Sequence, residues 1–329
     1  MRPTPGTRAF AGTAAAIASA FVLSVAGASA RPLPPSYALP SWSADGTQLF
    51  FASGKGPRGA IHTAGAEGGA VRRLFRTGIL SEVAWSASDD WVAYSSRGRV
   101  VMTQASGAGR RVIGSGVDLA WSPDGSKLAF AGSAVGGPIN VVDAVGSGRV
   151  RVTDGRFDHS PAWAPDGARL AFSRSFGAGG PGYLYVVGAD GSALERLGPQ
   201  GAAPAWSPDG SRLAFWQRTV EGVTLAVYSF VDAQVRVLTR TLPAFSRAPR
   251  WSHDGTKLLV TVCSAFGACR IEVAAADGSY VTRLVAGADP AWAPDGSRIA
   301  FSARGACPGW GIFVARADGT AQRRITACR

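Results

Sequence analysis

The fold is decided by a ten-residue stretch that reads WSPDGSKLAF and runs from Trp121 to Phe130. Its first half, a tryptophan followed by a polar turn, occurs seven times in the 329 residues. The copies read WSADG, WSASDD, WSPDG, WAPDG, WSPDG, WSHDG and WAPDG, and they begin at Trp42, Trp85, Trp121, Trp163, Trp206, Trp251 and Trp292. Successive tryptophans are 43, 36, 42, 43, 45 and 41 residues apart, which is the length of one four-stranded propeller blade.

Each copy predicts a tight turn between two strands. In the third copy Pro123 fixes φ at the first corner, Asp124 can accept backbone hydrogen bonds, and Gly125 supplies a positive φ. Apolar residues then follow seven and nine positions after the tryptophan, and this alternation predicts a strand packed between neighbouring sheets. The pairs are Leu49 and Phe51, Val92 and Tyr94, Leu128 and Phe130, Leu170 and Phe172, Leu213 and Phe215, Leu258 and Val260, and Ile299 and Phe301.

The repeats predict an all-β fold, a seven-bladed β-propeller of four-stranded antiparallel blades, as a single domain over residues 31–329. Each copy also holds a third and a fourth strand, such as 183–187 and 194–197. Four short strands cannot bury both faces alone, but blades stacked radially can. Six blades, with the short second copy outside the ring, is the alternative. Seven is favoured because residues 91–113 still supply strands after Trp85.

The repeated pattern Ala-Trp-Ser-Pro-Asp-Gly-x-x-Leu-Ala-Phe resembles the TolB-like, WD-repeat-like propeller family of bacteria. The resemblance covers almost the whole chain after the first 36 residues, and it implies an exported binding or scaffold module, or a propeller attached to a peptidase. TolB itself resembles a six-bladed propeller preceded by an α/β domain, and that domain has no counterpart here, so a TolB-like role is not implied. The 37 residues after Trp292 are taken up by the last blade, which argues against an attached peptidase.

Residues 1–30 have the features of a cleaved secretory signal peptide. Arg2 and Arg8 give a positive start, an apolar stretch spans 9–25, and Ala28-Ser29-Ala30 is a small-x-small cleavage site. An uncleaved membrane anchor is the alternative, although the apolar stretch is short for spanning a bilayer. We therefore expect a secreted or periplasmic monomer without a transmembrane segment after cleavage.

The four cysteines agree with export, and all lie in the last two repeats. Cys263 and Cys269 flank one short loop. In a meander the loop after strand two and the end of strand four emerge on the same side, so Cys307 and Cys328 can meet. We predict the disulfides Cys263–Cys269 and Cys307–Cys328. A four-cysteine zinc site is the alternative, but the last two cysteines lack the usual close spacing. No metal or other cofactor is expected.

The charge balance is basic, with 34 Lys and Arg residues against 22 Asp and Glu residues and a net charge of +12. The only lysines are Lys55, Lys127 and Lys257, so the excess is almost all arginine. Nucleic acid is not an expected partner, because the chain has no recognisable nucleic-acid module and is predicted to be exported. A protein or an anionic component of the envelope or wall is the expected partner.

The charges separate by rim. Turns after strands one and three share one rim, called here the turn rim, and they carry Asp45, Asp124, Asp166, Asp190, Asp209, Asp254, Asp277, Asp295 and Asp318. Loops after strands two and four share the other, called here the loop rim, where variable loops on a rigid scaffold indicate binding. Its candidate binding residues are Arg58, Arg97, Arg174, Phe176, Arg218, Phe245, Arg247, Phe266, Arg304 and Trp310.

A smaller set of acids is expected near the axial channel. Glu82, Asp118 and Asp289 each precede their tryptophan by three residues, and Asp158 with His159 leads into the fourth repeat. The first three could hold a cation, but hydrogen bonds to the neighbouring blade are the favoured interpretation. The sequence contains no nucleophile elbow or HExxH motif. We therefore expect a non-enzymatic binding or scaffold protein; the alternative is a propeller enzyme, a lyase or lactonase-like hydrolase, acting at the channel.

Overall fold

The protein is an all-β propeller of seven blades, each a four-stranded antiparallel sheet. The computed structural model describes residues 37–54, 59–88, 90–132, 136–155, 157–177, 182–239, 247–264, 268–307 and 309–327. Every blade is built from four consecutive strands, so within the described residues no blade mixes strands from the two ends of the chain. In the described part of the chain, no helix is long and apolar enough to span a membrane.

The strands follow chain order from the axis outwards in each blade. Blades 1 to 4 contain β1 (Tyr37–Trp42), β2 (Gln48–Ser53), β3 (Ala60–Gly65) and β4 (Arg72–Arg76); β5 (Glu82–Trp85), β6 (Trp91–Ser96), β7 (Arg99–Gln104) and β8 (Arg111–Ser115); β9 (Val117–Trp121), β10 (Lys127–Ala131), β11 (Ile139–Asp143) and β12 (Val150–Arg151); and β13 (Asp158–Trp163), β14 (Arg169–Ser175), β15 (Gly182–Gly188) and β16 (Glu195–Gln200). Blades 5 to 7 contain β17 (Ala202–Trp206), β18 (Arg212–Thr219), β19 (Gly222–Ser229) and β20 (Val235–Val237); β21 (Arg250–Trp251), β22 (Lys257–Cys263), β23 (Cys269–Ala275) and β24 (Val281–Ala286); and β25 (Ala288–Trp292), β26 (Arg298–Arg304), β27 (Trp310–Arg316) and β28 (Arg323–Arg324).

The second strand of each blade supplies the core, as the alternation predicted. All fourteen apolar side chains seven and nine residues after a repeat tryptophan are at most 2% exposed. Successive strand residues point to opposite faces of a sheet. The two side chains of each pair therefore lie on the same face and pack against a neighbouring blade. The short second repeat forms a complete blade with its own buried Val92 and Tyr94, so the six-bladed alternative is wrong.

The repeat tryptophans join neighbouring blades by hydrogen bonds. In six of the seven seams the indole N–H donates to a backbone carbonyl of the preceding blade, at 2.9 to 3.1 Å. The acceptor is always the residue just before that blade's own tryptophan. The bonds are Trp121 to Ala84, Trp163 to Ala120, Trp206 to Ala162, Trp251 to Ala205, Trp292 to Arg250 and Trp42 to Ala291. The last of these closes the ring.

Blade 7 is also tied to blade 1 by charge. The Glu67 carboxylate of blade 1 receives Arg298 Nη1 at 2.6 Å and Arg323 Nη2 at 2.7 Å, both from blade 7. The Arg323 guanidinium donates to the carbonyl of Ala66 as well, at 3.0 Å. Ion pairs and one indole bond therefore join the first and last blades without an exchanged strand.

The seam between blades 1 and 2 differs from the others. The indole N–H of Trp85 is buried and has no hydrogen-bond partner among the described residues. Its ring instead stacks on Phe50, with the centroids 4.1 Å apart. The position of Phe50, eight residues after the tryptophan, is Ala or Leu in the other six repeats. We attribute the missing bond to this larger ring, which holds the indole away from the carbonyl of Ser41.

The cysteine prediction is confirmed where the structure describes it. Cys263 and Cys269 form a disulfide with an S–S distance of 2.07 Å across the end of the β22–β23 hairpin. Cys307 is also disulfide-bonded, and its expected partner, Cys328, lies outside the described residues.

Replacing the indole by a benzyl ring should cost more stability at Trp206 than at Trp85. Trp206→Phe removes the donor of a formed hydrogen bond, whereas Trp85→Phe removes a buried N–H that has no partner. We expect the first variant to lose about 1–2 kcal/mol more free energy of unfolding than the second. Urea denaturation of both variants and the parent measures this difference, and equal losses would show that the indole bonds do not stabilise the ring.

Glu67→Gln should weaken ring closure modestly. Glu67 is 76% exposed, so we expect a loss of about 1 kcal/mol or less, and a smaller loss at high salt. Glu195→Gln is the matched control, because Glu195 is exposed and forms no ion pair with a described residue. Thermal unfolding at low and high ionic strength compares the two variants; an identical response would mean that the Glu67 ion pairs contribute nothing.

Candidate functional site

The innermost strands carry a bulge that shapes the axial channel. Five residues located three positions before a repeat tryptophan have a positive φ of 52–59°: Leu39, Asp118, Ser160, Ala203 and Asp289. The strand register shifts around each of them, which is the geometry of a β-bulge. The bulge leaves backbone N–H groups outside the sheet ladder and available to other acceptors.

Two of the predicted channel acids accept hydrogen bonds from such backbone N–H groups. Glu82 in blade 2 accepts hydrogen bonds from the backbone N–H of Asp118, at 2.8 Å, and of Leu119, at 3.2 Å. Asp118 in turn accepts one from the backbone N–H of Ser160 in blade 4, at 2.9 Å. Each acid therefore binds the inner strand of the next blade, which is the structural role that the repeat position suggested.

Asp289 is held differently. One of its carboxylate oxygens accepts a hydrogen bond from Arg247 Nε at 2.8 Å, and the other accepts one from the Ser302 hydroxyl at 3.1 Å. Within the described ranges, no three His, Cys, Asp or Glu side chains are grouped so that they could hold a metal ion. Glu82, Asp118 and Asp289 therefore do not converge as a cation site.

The electrostatics of the channel are unusual at two residues. Burial raises the pKa of Glu82 to about 7, and the negative charge of Asp118 acts in the same direction, while Arg247 opposes it. Arg250 is accessible to solvent, yet the surrounding protein and Arg247 lower the pKa of its guanidinium, with Asp289 opposing. An accessible side chain enclosed by protein fits a position in the channel.

Arg250 was missed at the sequence level, although a signal was present. It stands directly before a repeat tryptophan, where the other six repeats carry Ala or Ser. Its guanidinium forms no hydrogen bond or ion pair with any described residue. Among the described residues, the Arg250 guanidinium is therefore a cation of the channel that contacts no counter-ion.

The raised pKa of Glu82 predicts a stability change between pH 4.5 and 7. In this window the folded state holds the Glu82 proton and the unfolded state has released it, so the folded state loses stability as the pH rises. Glu82→Gln removes this titration. We expect its unfolding free energy to fall less than that of the parent from pH 4.5 to 7, measured by urea denaturation at several pH values. Parallel curves for the two proteins would contradict a raised pKa.

A cleft opens on the loop rim between blades 4 and 5 and extends inwards to the channel. Its volume is about 370 Å³. The lining residues are Asp118, His159, Ser160, Ser173, Ser175, Gly182, Gln200, Gly201, Ala202, Ala203, Trp216, Arg218 and Val223. The cleft brings together three residues that the sequence singled out separately, namely Asp118, His159 and Arg218.

The inner end of the cleft holds an acid beside an imidazole. His159 Nδ1 lies 3.7 Å from Asp118 Oδ2, and both side chains are about one-third exposed. A Cβ built on Gly136 would lie 2.2 Å from the ring of His159, so the imidazole packs directly against that backbone. His159 is therefore fixed between Gly136 and Asp118 and borders the cleft.

Asp158 and Arg174 do not belong to this site. Asp158 is fully buried, and Arg174 grips it with Nε at 2.6 Å and Nη2 at 3.0 Å. Thr153 donates a further hydrogen bond to the same carboxylate. The charge of Arg174 is thus satisfied inside blade 4, and Asp158 does not face the channel.

Three of the candidate arginines remain exposed on the loop rim. Arg97, Arg218 and Arg304 each stand twelve residues after a repeat tryptophan, and none forms an ion pair with a described residue. The Arg304 guanidinium lies 5.9 Å from the ring centre of Trp310, and Phe176 is 68% exposed. Arg247 is paired with Asp289. The remaining candidates, Arg58, Phe245 and Phe266, lie outside the described residues.

The turn rim is internally satisfied. Its aspartates accept hydrogen bonds from backbone N–H groups of their own turns and from Ser or Thr side chains, except Asp166, which accepts from Arg169. These bonds lower the pKa of Asp124, Asp209 and Asp254 to about 2. A larger cavity of about 680 Å³ lies on this side between blades 3 and 4. It is lined by strand residues of blades 3 and 4 and by the turns between them, and because the turn aspartates are already hydrogen-bonded, we regard the loop-rim cleft as the better candidate site.

Three arginines have a structural role that the sequence did not reveal. Arginines six residues after a repeat tryptophan lie over the indole of the next blade, with 4.9 to 5.1 Å between guanidinium carbon and ring centre. The pairs are Arg169 with Trp206, Arg212 with Trp251 and Arg298 with Trp42. Each of these three guanidinium groups lies over a repeat tryptophan, so a contact within the fold explains its position.

Comparison with known families agrees with this architecture. Residues 101–244 match the PD40 family, described as the TolB beta propeller domain. This part of the chain, blades 2 to 5, is therefore similar to a TolB beta propeller domain. No curated protein sequence matches it significantly.

Several solved propeller structures resemble this chain in fold. An oligogalacturonate lyase in complex with manganese superposes with a TM-score of 0.66 at 14% identity, covering 86% of this chain and 90% of the lyase. TolB from Acinetobacter baumannii gives 0.56 at 16% identity, covering 89% and 80%. A puromycin-hydrolyzing peptidase of Mycobacterium tuberculosis gives 0.65 at 15% identity, covering 91% of this chain and 53% of the peptidase. Identities this low establish a shared fold alone.

Proposed function

We propose that this protein is an exported, non-enzymatic binding protein that contacts an acidic partner of the cell envelope through its loop rim. The observation that supports the proposal most directly is the state of Arg97, Arg218 and Arg304. They share one repeat position, are exposed, and form no ion pair with a described residue. Guanidinium groups held at fixed spacing on a rigid scaffold bind carboxylates and phosphates well.

The aromatic residues of the loop rim support the same proposal. Phe176 is 68% exposed and contacts Tyr183 edge-on, with the ring centres 5.7 Å apart. Trp310 lies beneath Arg304. Binding energy in protein interfaces is concentrated in aromatic and arginine side chains, and both kinds stand together on this rim.

Export is supported by two features. Residues 1–30 have the pattern of a secretory signal, and Cys263 and Cys269 form a disulfide. Disulfides persist in oxidising compartments and are rare in the cytosol. A partner in the envelope or wall follows from that location.

Reversing the charge of Arg97 and Arg304 together should weaken capture of an envelope partner. The test compares Arg97→Glu/Arg304→Glu with Arg73→Glu/Arg283→Glu, which changes the net charge equally at exposed, unpaired arginines away from the loop rim. We expect pull-downs from a cell-envelope fraction to lose the partner only with the first pair. The parent protein should also lose it as the ionic strength rises from about 0.05 M to 0.5 M. Equal losses for both pairs would show that net charge alone is responsible.

An enzyme acting at the channel mouth, a lyase or lactonase-like hydrolase, is a second candidate. The Asp118–His159 pair beside the cleft favours it, because a carboxylate next to an imidazole is suited to acid–base chemistry. The lyase neighbour does not contribute a substrate, since it is only 14% identical. Metal analysis of the parent protein, and lactone-hydrolysis assays of the parent and His159→Gln, distinguish the enzyme from the binding protein. A stoichiometric divalent ion, or turnover that the variant lacks, would favour the enzyme.

A further inference from the structure

Small residues line the cleft between blades 4 and 5. A Cβ on Gly182 would lie 3.1 Å from the carbonyl of Gly201, and a Cβ on Gly201 would lie 2.3 Å from the ring of Phe215. Ser173, Ser175 and two alanines complete the lining between the blades. The resulting volume of about 370 Å³ is that of a site for a small organic molecule.

The acidic group in the cleft has a hydrogen-bond partner, whereas the basic group has none among the described residues. The Asp118 carboxylate already accepts the Ser160 N–H at 2.9 Å and lies beside His159. Arg218 stands at the outer end, and its guanidinium forms no hydrogen bond or ion pair with a described residue. One cation without a counter-ion therefore borders the cleft, and a carboxylate is the partner that a guanidinium binds in bidentate geometry.

The wall next to Arg218 is apolar. Trp216 is 1% exposed and donates its indole N–H to the carbonyl of Arg247 at 2.8 Å, so it belongs to the packed wall of the cleft and does not present its N–H to a ligand. Its repeat position holds Ala, Ser or Thr in the other six blades. Val223 and the alanines of β17 extend this surface. A ligand that fills the cleft therefore needs an apolar body next to its anionic group.

We propose that this cleft binds a small organic carboxylate, whose carboxylate group pairs with Arg218 and whose apolar body packs against Val223 and the alanines of β17. Arg218 also belongs to the loop rim, but the contact with an envelope partner is tested at Arg97 and Arg304, which do not line the cleft. Either proposal can therefore fail while the other stands.

Benzoate and benzamide are matched probes for this site, because they share one ring and differ in charge. Arg218→Gln removes the cation of the cleft, and Arg97→Gln removes an arginine at the same repeat position in blade 2, where it does not line the cleft. Ligand-observed NMR titration up to about 20 mM gives the affinities. Circular dichroism confirms that both variants are folded.

We expect benzoate to bind the parent at least about tenfold more tightly than benzamide. Arg218→Gln should abolish that preference, and Arg97→Gln should retain it. Ser175→Leu, which fills the cleft from β14, should remove binding of both probes. Three results would overturn the proposal: no benzoate binding up to the highest concentration, equal affinity for the two probes, or the same loss in both arginine variants.

Discussion

The indole hydrogen bond between neighbouring blades is the interaction on which the rest of the structure depends. Apolar packing between sheets has no preferred direction, whereas a hydrogen bond fixes both distance and angle. Its length of 2.9 to 3.1 Å in six seams places each inner strand at one spacing from the next. Because of that spacing, a carboxylate such as Glu82 reaches the backbone amides of the following blade. Hydrogen bonds of this kind connect the inner strands around the channel.

The exception between blades 1 and 2 shows how a single side chain changes a seam. Among the described residues, clusters of buried apolar side chains span the other six seams. Here the stack of Phe50 on Trp85 takes their place. Leu259 occupies the position of Phe50 in blade 6, and the indole bond of Trp292 still forms there. A planar ring, rather than any large side chain, therefore keeps the indole from its acceptor.

The sequence predicted the blades because their strands depend on local turn chemistry and on alternation, which every repeat displays. The ion pairs between side chains could not be predicted from the sequence in the same way. The bulge between His159 and Ala162 shifts the register of β13, and only that shift sets Asp158 opposite Arg174. Trp216 and Arg250 could have been found, since each departs from its repeat position. The distance between an acid and a cation across the channel could not, because it depends on the assembled ring.

The position of an arginine within the repeat decides its role. Six residues after the tryptophan, an arginine reaches the indole of the next blade and becomes part of the seam. Twelve residues after it, the chain has reached the loop rim at or near the end of strand two, and the side chain contacts no repeat tryptophan. Arg97, Arg218 and Arg304 lie in blades 2, 5 and 7, so only a partner that extends across the rim meets all three. A small anion meets one of them, and Arg218 alone borders the cleft between blades 4 and 5.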